Sequence, residues 1–242
     1  MDRELLERLY HRAVDAAQPR HAIAANLPEP PHGRTIVIGA GKASAQMAQA
    51  FEEAWPHRID KGLVVTRYGY AAPCERIEIV EAAAIAAHDA GLTPHILSDA
   101  IEGEARDVAG VHAALAREIR SRNRPFTKPA ILLSGGETTV TIRGAGRGGR
   151  NAEFLLAFAL AIEGQEGISA LAADTDGIDG AGDNAGAWCD GTTAARMRSA
   201  GIDPRAALAD NDAYNAFRAV GGLFTTGPTG TNVNDFRAII IR

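Results

Sequence analysis

Cysteine is nearly absent from this sequence: Cys74 and Cys189 are the whole complement. Two thiols make neither a disulfide framework nor a metal knuckle, so they read as small buried apolar side chains in a reducing compartment. Aromatic residues are also scarce, at 5%. A core must therefore be assembled from aliphatic and small side chains, and 46% apolar residues with 26 glycines are enough for that. No stretch approaches the ~20 consecutive apolar residues of a membrane-spanning helix. The opening segment, MDRELLERLYHRAVDAA, is amphipathic and charged, without the apolar core of a signal peptide. The expectation is a cytoplasmic protein without a membrane partner. Positive charge is not in excess either. The formal net charge of −5 argues against nucleic acid as a partner, because sequence-independent binding needs concentrated positive charge. The seven histidines show no metal-ligand spacing, so none is assigned a role.

What the sequence does hold is α/β patterning. Leu5, Leu6, Leu9, Val14 and Ala17 fall at helical spacing over residues 2–17. Residues 35–39, 62–66 and 76–80 read as short buried strands, with a helix through Trp55 between the first two. Strand, glycine-rich turn, helix, strand is the pattern of a βα unit in a parallel sheet. Further along, helices are expected over 82–90, 100–122, 151–163, 190–200 and 204–219. Strands are expected over 93–97, 130–134, 138–142, 168–173 and 238–241.

Glycine-rich turns at strand-to-helix junctions present backbone N–H groups to an anion, aided by the helix dipole. The first such turn is Gly39-Ala-Gly41-Lys42-Ala-Ser44. It begins like a dinucleotide fingerprint, but Ser44 replaces the third glycine and the next strand ends in Thr66-Arg67 rather than an acid. A tight connection explains it equally well, except that Lys42 adds a long cation. The second turn, Gly144-Ala-Gly146-Arg147-Gly148-Gly149, matches GxGxxG literally, with Asp174 about one βα unit later. A nicotinamide reading therefore stands beside an anion-binding one. Arg147 and Arg150 favour the anion, because guanidinium groups fork onto phosphate or carboxylate oxygens.

Asp174-Thr-Asp176-Gly-Ile-Asp179 follows a strand, where ligands bind in α/β sheets. Hard oxygens there suit Mg²⁺ with a nucleotide, or general-base work on a hydroxyl. Asx-turns and N-caps are the structural alternative. Ser134-Gly135-Gly136-Glu137 adds a polar rim with a carboxylate. Thr229, Asn232 and Asn234 within Gly227–Asp235 supply another, or an ordinary hairpin.

Together these segments resemble the glycerate 2-kinases that carry a MOFRL domain at the C-terminus, a family whose members are also called hydroxypyruvate reductase-like. The resemblance rests on five ordered motifs: Val37–Ser44, Leu132–Thr139, Gly146–Phe154, Asp174–Gly180 and Gly227–Asp235. It implies two doubly wound, Rossmann-like α/β lobes with the active site in the cleft between them. The first would lie within residues 1–82 and the second, carrying MOFRL, within 83–242. It further implies transfer of the γ-phosphoryl group of ATP to the 2-hydroxyl of D-glycerate, with Mg²⁺ as the divalent metal. Lys42 matches the family's catalytic lysine, and Arg150, with Arg147 as the alternative, its catalytic arginine. In that frame Asp176 serves the hydroxyl proton, while Asp174 and Asp179 hold metal. Gly39, Gly41, Ser44, Ser134, Gly135, Gly136, Glu137, Gly146, Asn151, Thr229, Asn232 and Asn234 then line the nucleotide and substrate sites.

One departure is large. Family members are much longer: after the segment matching Glu78–Ala82 they continue through a further Ser/Gly-rich loop and most of the first lobe. Here Glu81-Ala-Ala runs straight into Ala84-Ile-Ala-Ala-His-Asp-Ala-Gly-Leu. The expectation is an internal deletion that leaves the first lobe truncated to three strands. A sheet so shortened exposes an edge and an apolar face, which favours poor stability or pairing with another chain, such as a second copy in a homodimer. Two other readings stay open: a non-catalytic nucleotide- or anion-binding remnant, and an NAD(P)H-dependent hydroxypyruvate reductase.

Overall fold

The structure, a computed structural model, describes residues 18–29, 32–41, 43–66, 72–80, 82–229 and 234–242. The chain divides into two compact units, Met1–Ala82 and Ala83–Arg242. The helix expected over 2–17 lies outside the described residues. Among the described residues no helix is long and apolar enough to cross a membrane.

In the first unit, helix α1 (Pro19–Ala25) starts on a proline, whose fixed φ suits a first turn. Strands β1 (Ile36–Ala40), β2 (Lys61–Val65) and β3 (Ile77–Val80) then pair in parallel in that order. Helix α2 (Ser44–Ala54) joins β1 to β2. Alternation along the strands decides what α2 covers. Val37, Val64 and Ile77 cluster with Ala48, Phe51 and Ile59. Ile36, Ile38 and Leu63 point to the opposite face and remain exposed, Ile38 at 83%. The carboxylate of Glu52 on α2 accepts the backbone N–H groups of Glu75, Arg76 and Ile77, which anchors the start of β3.

The second unit runs α3 (Ala82–Asp89), β4 (Thr93–Glu104), α4 (Ala105–Arg122), β5 (Ala130–Thr139), α5 (Arg150–Ala161) and β6 (Ile168–Asp174). It continues with β7 (Gly186–Asp190), α6 (Thr193–Ser199), α7 (Pro204–Ala209), α8 (Ala213–Ala219), β8 (Leu223–Phe224) and β9 (Asp235–Ile241). The sheet order is β4-β5-β9-β6-β7-β8. The α/β class holds, but the winding is more mixed than a doubly wound parallel lobe. β4 and β5 are parallel, whereas β9 returns between β5 and β6 antiparallel to both, and β7 and β8 extend the sheet antiparallel.

Period 2 along β5 and β9 splits the core cleanly. Ala130, Leu132, Ile239 and Ile241 pack under α4 and α5 with Phe154, Phe158 and Ile119. Ile131, Leu133, Phe236 and Ile240 form a second layer with Ala87 and Leu92 on the other face. Ala105, Ala109, Ala113 and Ala116 line the buried side of α4. Such small side chains let helices approach closely in a chain poor in aromatics.

Four boundaries differ from the sequence expectations. β4 continues to Glu104 where a helix was expected from residue 100, because shifts after Ile96 and Ser98 keep its backbone paired with β5. β5 runs unbroken through Gly135 and Gly136, so Thr138 and Thr139 continue one strand rather than start another. Gly136 is required there: at φ +121° a Cβ would sit 2.3 Å from the backbone N and O of Ile101. β7, Gly-Ala-Trp-Cys-Asp, was not expected, since it has no β-branched residue and little visible alternation. The helix expected over 204–219 is two helices, separated where Asn211 takes φ 57°.

Candidate functional site around Arg150

Three neighbouring strands align in a row here. Gly136 of β5 pairs with Asp235, the first residue of β9, and Asp235 pairs on its other side with Asp174, the last residue of β6. Residues paired in register share a face, so Asp174 and Asp235 project together toward the start of α5. Arg150, the first residue of α5, reaches over them. Its Nη2 donates to Asp174 Oδ2 at 2.7 Å and to Asp235 Oδ1 at 3.3 Å, and its Nη1 to Glu137 Oε1 at 2.8 Å. The side chain keeps 29% of its surface exposed. It lines a cleft of about 410 Å³ together with Gly149, Asp174, Ile142 and Ile178.

Burial disfavours the charge of Arg150, but Asp235, Asp174 and Glu137 outweigh it and raise the pKa further above the ordinary guanidinium value. Asp174 is pushed above the usual carboxylate range. Burial is the main cause, and Asp176 and Asp235 add to it against the N–H bond from Asp176 and the charge of Arg150.

Asp179, expected among the metal ligands, sits instead beneath the first turn of α5. Its Oδ1 accepts the N–H of Asn151 at 3.0 Å and its Oδ2 the N–H of Ala152 at 2.8 Å. Two donors that a helix start leaves unpaired are thereby satisfied. The residue is 1% exposed. Burial lifts its pKa to about 6 despite those N–H bonds, with the charge of Asp235 adding to the rise. Gly149 is forced by this packing, since a Cβ there would lie 2.4 Å from the Asp179 carboxyl carbon. Asn151 is buried too, and its Nδ2 reaches Asp235 Oδ1 at 2.8 Å.

The Arg-Gly loop before α5 is spent on internal bonds. The N–H groups of Arg143 and Gly144 go to Asn211 Oδ1, that of Ala145 to Asp210 Oδ1, that of Gly146 to Asp210 O and that of Arg147 to Asp212 Oδ1. A Cβ at Gly144 or Gly146 would collide with residues 210–212. Gly146 thus serves close packing, and its amide is not offered to a phosphate. Arg147 diverges from Arg150: its guanidinium stacks 3.9 Å from the Tyr214 ring and pairs with Asp183. Tyr214 donates to that Asp183, which holds the Asp183 carboxyl below the usual range.

The other expected positions are dispersed. Ser134 is buried, with its hydroxyl 3.0 Å from His112 Nε2, and Gly135 is paired with Phe236 inside the sheet. Asp176 Oδ1 accepts the N–H of Ile178, and the amide N–H of Asp176 is bonded to Asp174 Oδ1. Thr229 donates to the carbonyl of Thr175, and the carbonyl of Asn234 receives both the N–H and the hydroxyl of Thr175. In the first unit, Gly41 gives its N–H to Val65 O, while the Ser44 hydroxyl bonds the carbonyls of Gly41 and Val65. Gly39 lies in β1, with Val64 packed against it. Lys42 and Asn232 lie outside the described residues.

Sequence reasoning missed Asp235 as the carboxylate shared by Arg150 and Asn151. It also missed Glu153, 2% exposed on α5, which accepts Arg106 Nη2 at 2.6 Å and Asn211 Nδ2 at 2.8 Å. A glutamate among the apolar residues of that helix was the available signal.

A resident Mg²⁺ does not fit these side chains. Among the described residues no three His, Cys, Asp or Glu converge to hold a metal ion. The oxygens of Asp179 are taken by N–H groups, and those of Asp174 by Arg150 and the amide of Asp176.

Residues 130–235 match the MOFRL family, and residues 5–94 match a domain of unknown function, DUF4147. A protein of Agrobacterium vitis, provisionally named a hydroxypyruvate reductase, is 33% identical over 413 residues, which span 99% of this chain and 94% of that protein. A D-glycerate 2-kinase of Thermotoga maritima is 45% identical over 149 residues, 62% of this chain and 36% of that enzyme. The chain belongs to the glycerate 2-kinase family with a MOFRL domain. That family is one of phosphotransferases. The crystal structure of a glycerate kinase from Thermotoga maritima matches the fold with a TM-score of 0.64 at 23% identity, covering 99% of this chain and 100% of that one.

Against its glycerate 2-kinase relatives the chain is short. The matches take up 36% of the Thermotoga enzyme and 37% of a Pyrococcus horikoshii glycerate 2-kinase that is 44% identical over 162 residues, 66% of this chain. The 413-residue alignment with the Agrobacterium protein exceeds the 242 residues here, so that relative carries a stretch with no counterpart in this chain.

Proposed function

We propose that the protein is a glycerate 2-kinase, transferring the γ-phosphoryl group of ATP to the 2-hydroxyl of D-glycerate, with Arg150 at the reacting centre. The observation that carries this reading is the cleft of about 410 Å³ in which a permanently charged, partly exposed Arg150 is held over Asp174. Phosphoryl transfer needs charge neutralisation and positioning more than covalent chemistry. Arg150 would take oxygens of the transferring phosphoryl group. An aspartate of the 174–179 loop would receive the 2-hydroxyl proton as the new P–O bond forms and ADP leaves. Lys42, by the family resemblance, would hold nucleotide phosphates. Mg²⁺ would enter with the phosphates of ATP rather than at a site of this chain's own side chains.

The nicotinamide reading is disfavoured by the loop that suggested it. Five successive amides, 143–147, are already bonded to residues 210–212, which leaves them unable to cradle a pyrophosphate. The non-catalytic reading gains support from the chain's short length relative to the kinases.

Phosphorus NMR of the full chain with D-glycerate, ATP and Mg²⁺ separates the three. The kinase reading expects 2-phosphoglycerate and ADP in equal amounts. Thermal stabilisation by ATP without product would favour the remnant. NADH oxidation by hydroxypyruvate without ADP formation would establish the reductase.

A further inference from the structure

Behind Arg150 lies a second arginine that the proposed chemistry does not use. Arg237, on β9 two residues after Asp235, is fully buried. Period 2 puts it on the face of Asp235, Ile239 and Ile241, beneath α5, with its guanidinium carbon 5.2 Å from the centre of the Phe154 ring. Its Nη2 donates to Asp235 Oδ2 at 2.7 Å and to Thr138 Oγ1 at 3.1 Å. Its Nε and Nη1 have no partner among the described residues.

Such an arginine is a poor choice for stability alone. Desolvating two charges is rarely repaid by their attraction, and apolar residues of similar volume generally stabilise a core as well or better. Donors left unpaired add to that cost. What the pair does accomplish is directional. With Oδ2 held from beneath by Arg237, Asp235 turns its Oδ1 to Asn151 Nδ2 at 2.8 Å and to Arg150 Nη2 at 3.3 Å. The carboxylate is oriented from below, and Arg150 is oriented by the carboxylate.

We propose that Arg237 is a positioning residue for Arg150, acting through Asp235 to fix how the Arg150 guanidinium faces the cleft. The functional consequence rests on the reading of Arg150 as the phosphoryl-transfer residue. The positioning itself is measurable without turnover.

The experiment is the arginine side-chain ¹⁵N–¹H spectrum of the full chain at low temperature, which reports hindered rotation of each guanidinium. In the wild type, Arg150 is expected to give resolved Nη signals, assigned by their loss in Arg150→Lys. In Arg237→Met those signals should collapse by exchange. The signals of Arg106, held separately by Glu153, should stay resolved and report an intact fold. If the methionine variant does not fold, Arg237→Lys decides: its shorter ammonium cannot occupy the Nη2 position, and the same collapse is expected. Resolved Arg150 signals in either folded variant would overturn the proposal. With D-glycerate and ATP, the folded variant should also lose roughly 10²-fold in kcat, the scale of a misplaced catalytic group. Absence of turnover in the wild type would sink the kinase reading, and the spectrum would still decide the positioning.

Discussion

Replacing Asp179 by asparagine tests whether the Arg-Gly loop is docked by a buried carboxylate. Burial lifts the Asp179 pKa from 3.8 to about 6. The folded state therefore holds this proton more tightly than the unfolded chain. Stability from the group is fully present below pH ~3.8 and is lost as the pH rises through ~6. The whole window corresponds to about 3 kcal/mol, from 1.36 kcal/mol per pKa unit. Between pH 7 and pH 5 the wild type should gain about 1 kcal/mol from this residue. Asp179→Asn loses that gain because an amide does not titrate, whatever constant penalty it pays for facing the Ala152 N–H with its NH₂ group. Urea unfolding followed by Trp188 fluorescence in a Trp55→Phe background gives both stabilities at each pH. The difference between variant and wild type should change by about 1 kcal/mol across that interval. A difference independent of pH would refute the reasoning. A change of opposite sign would mean that the N–H bonds from Asn151 and Ala152 outweigh burial.

Gly136→Ala should destabilise the fold by about 2–5 kcal/mol, combining left-handed strain with the clash against Ile101, and an unchanged Tm would contradict it. Arg106→Met leaves Glu153 buried with Asn211 as its remaining partner, and should cost about 3–5 kcal/mol in urea unfolding. The same change in a Glu153→Gln background should cost less, because no uncompensated charge is left behind. Equal losses in the two backgrounds would contradict the ion-pair account.

Much of the first unit was legible in the sequence, because apolar runs bounded by glycine turns fix short parallel strands regardless of context. The second unit was harder for identifiable reasons. β7 hides in Gly-Ala-Trp-Cys-Asp, where small residues erase alternation, and the end of β4 is a charged stretch made into strand by pairing with β5. The Arg150 motif was readable as anion chemistry, but its partners were not. Asp174 and Asp235 stand 61 positions apart and meet only through the register of β6 with β9. A signal for Arg237 was present all the same. In Asp-Phe-Arg-Ala-Ile-Ile-Ile, period 2 places an arginine on the face of two core isoleucines. The literal GxGxxG has a packing reason of its own: its glycines admit the close approach of residues 210–212 and Asp179.

In the proposed kinase Arg150, and not Arg147, carries the phosphoryl-transfer site. D-glycerate-dependent ADP release by the full chain, compared among wild type, Arg150→Met and Arg147→Ala, tests it most directly. The account predicts a kcat loss of roughly 10²–10³-fold for Arg150→Met, the scale of removing one group that stabilises transition-state charge. Arg147→Ala, which loses a stack on Tyr214, should stay near wild type. Wild-type turnover in Arg150→Met would contradict the account.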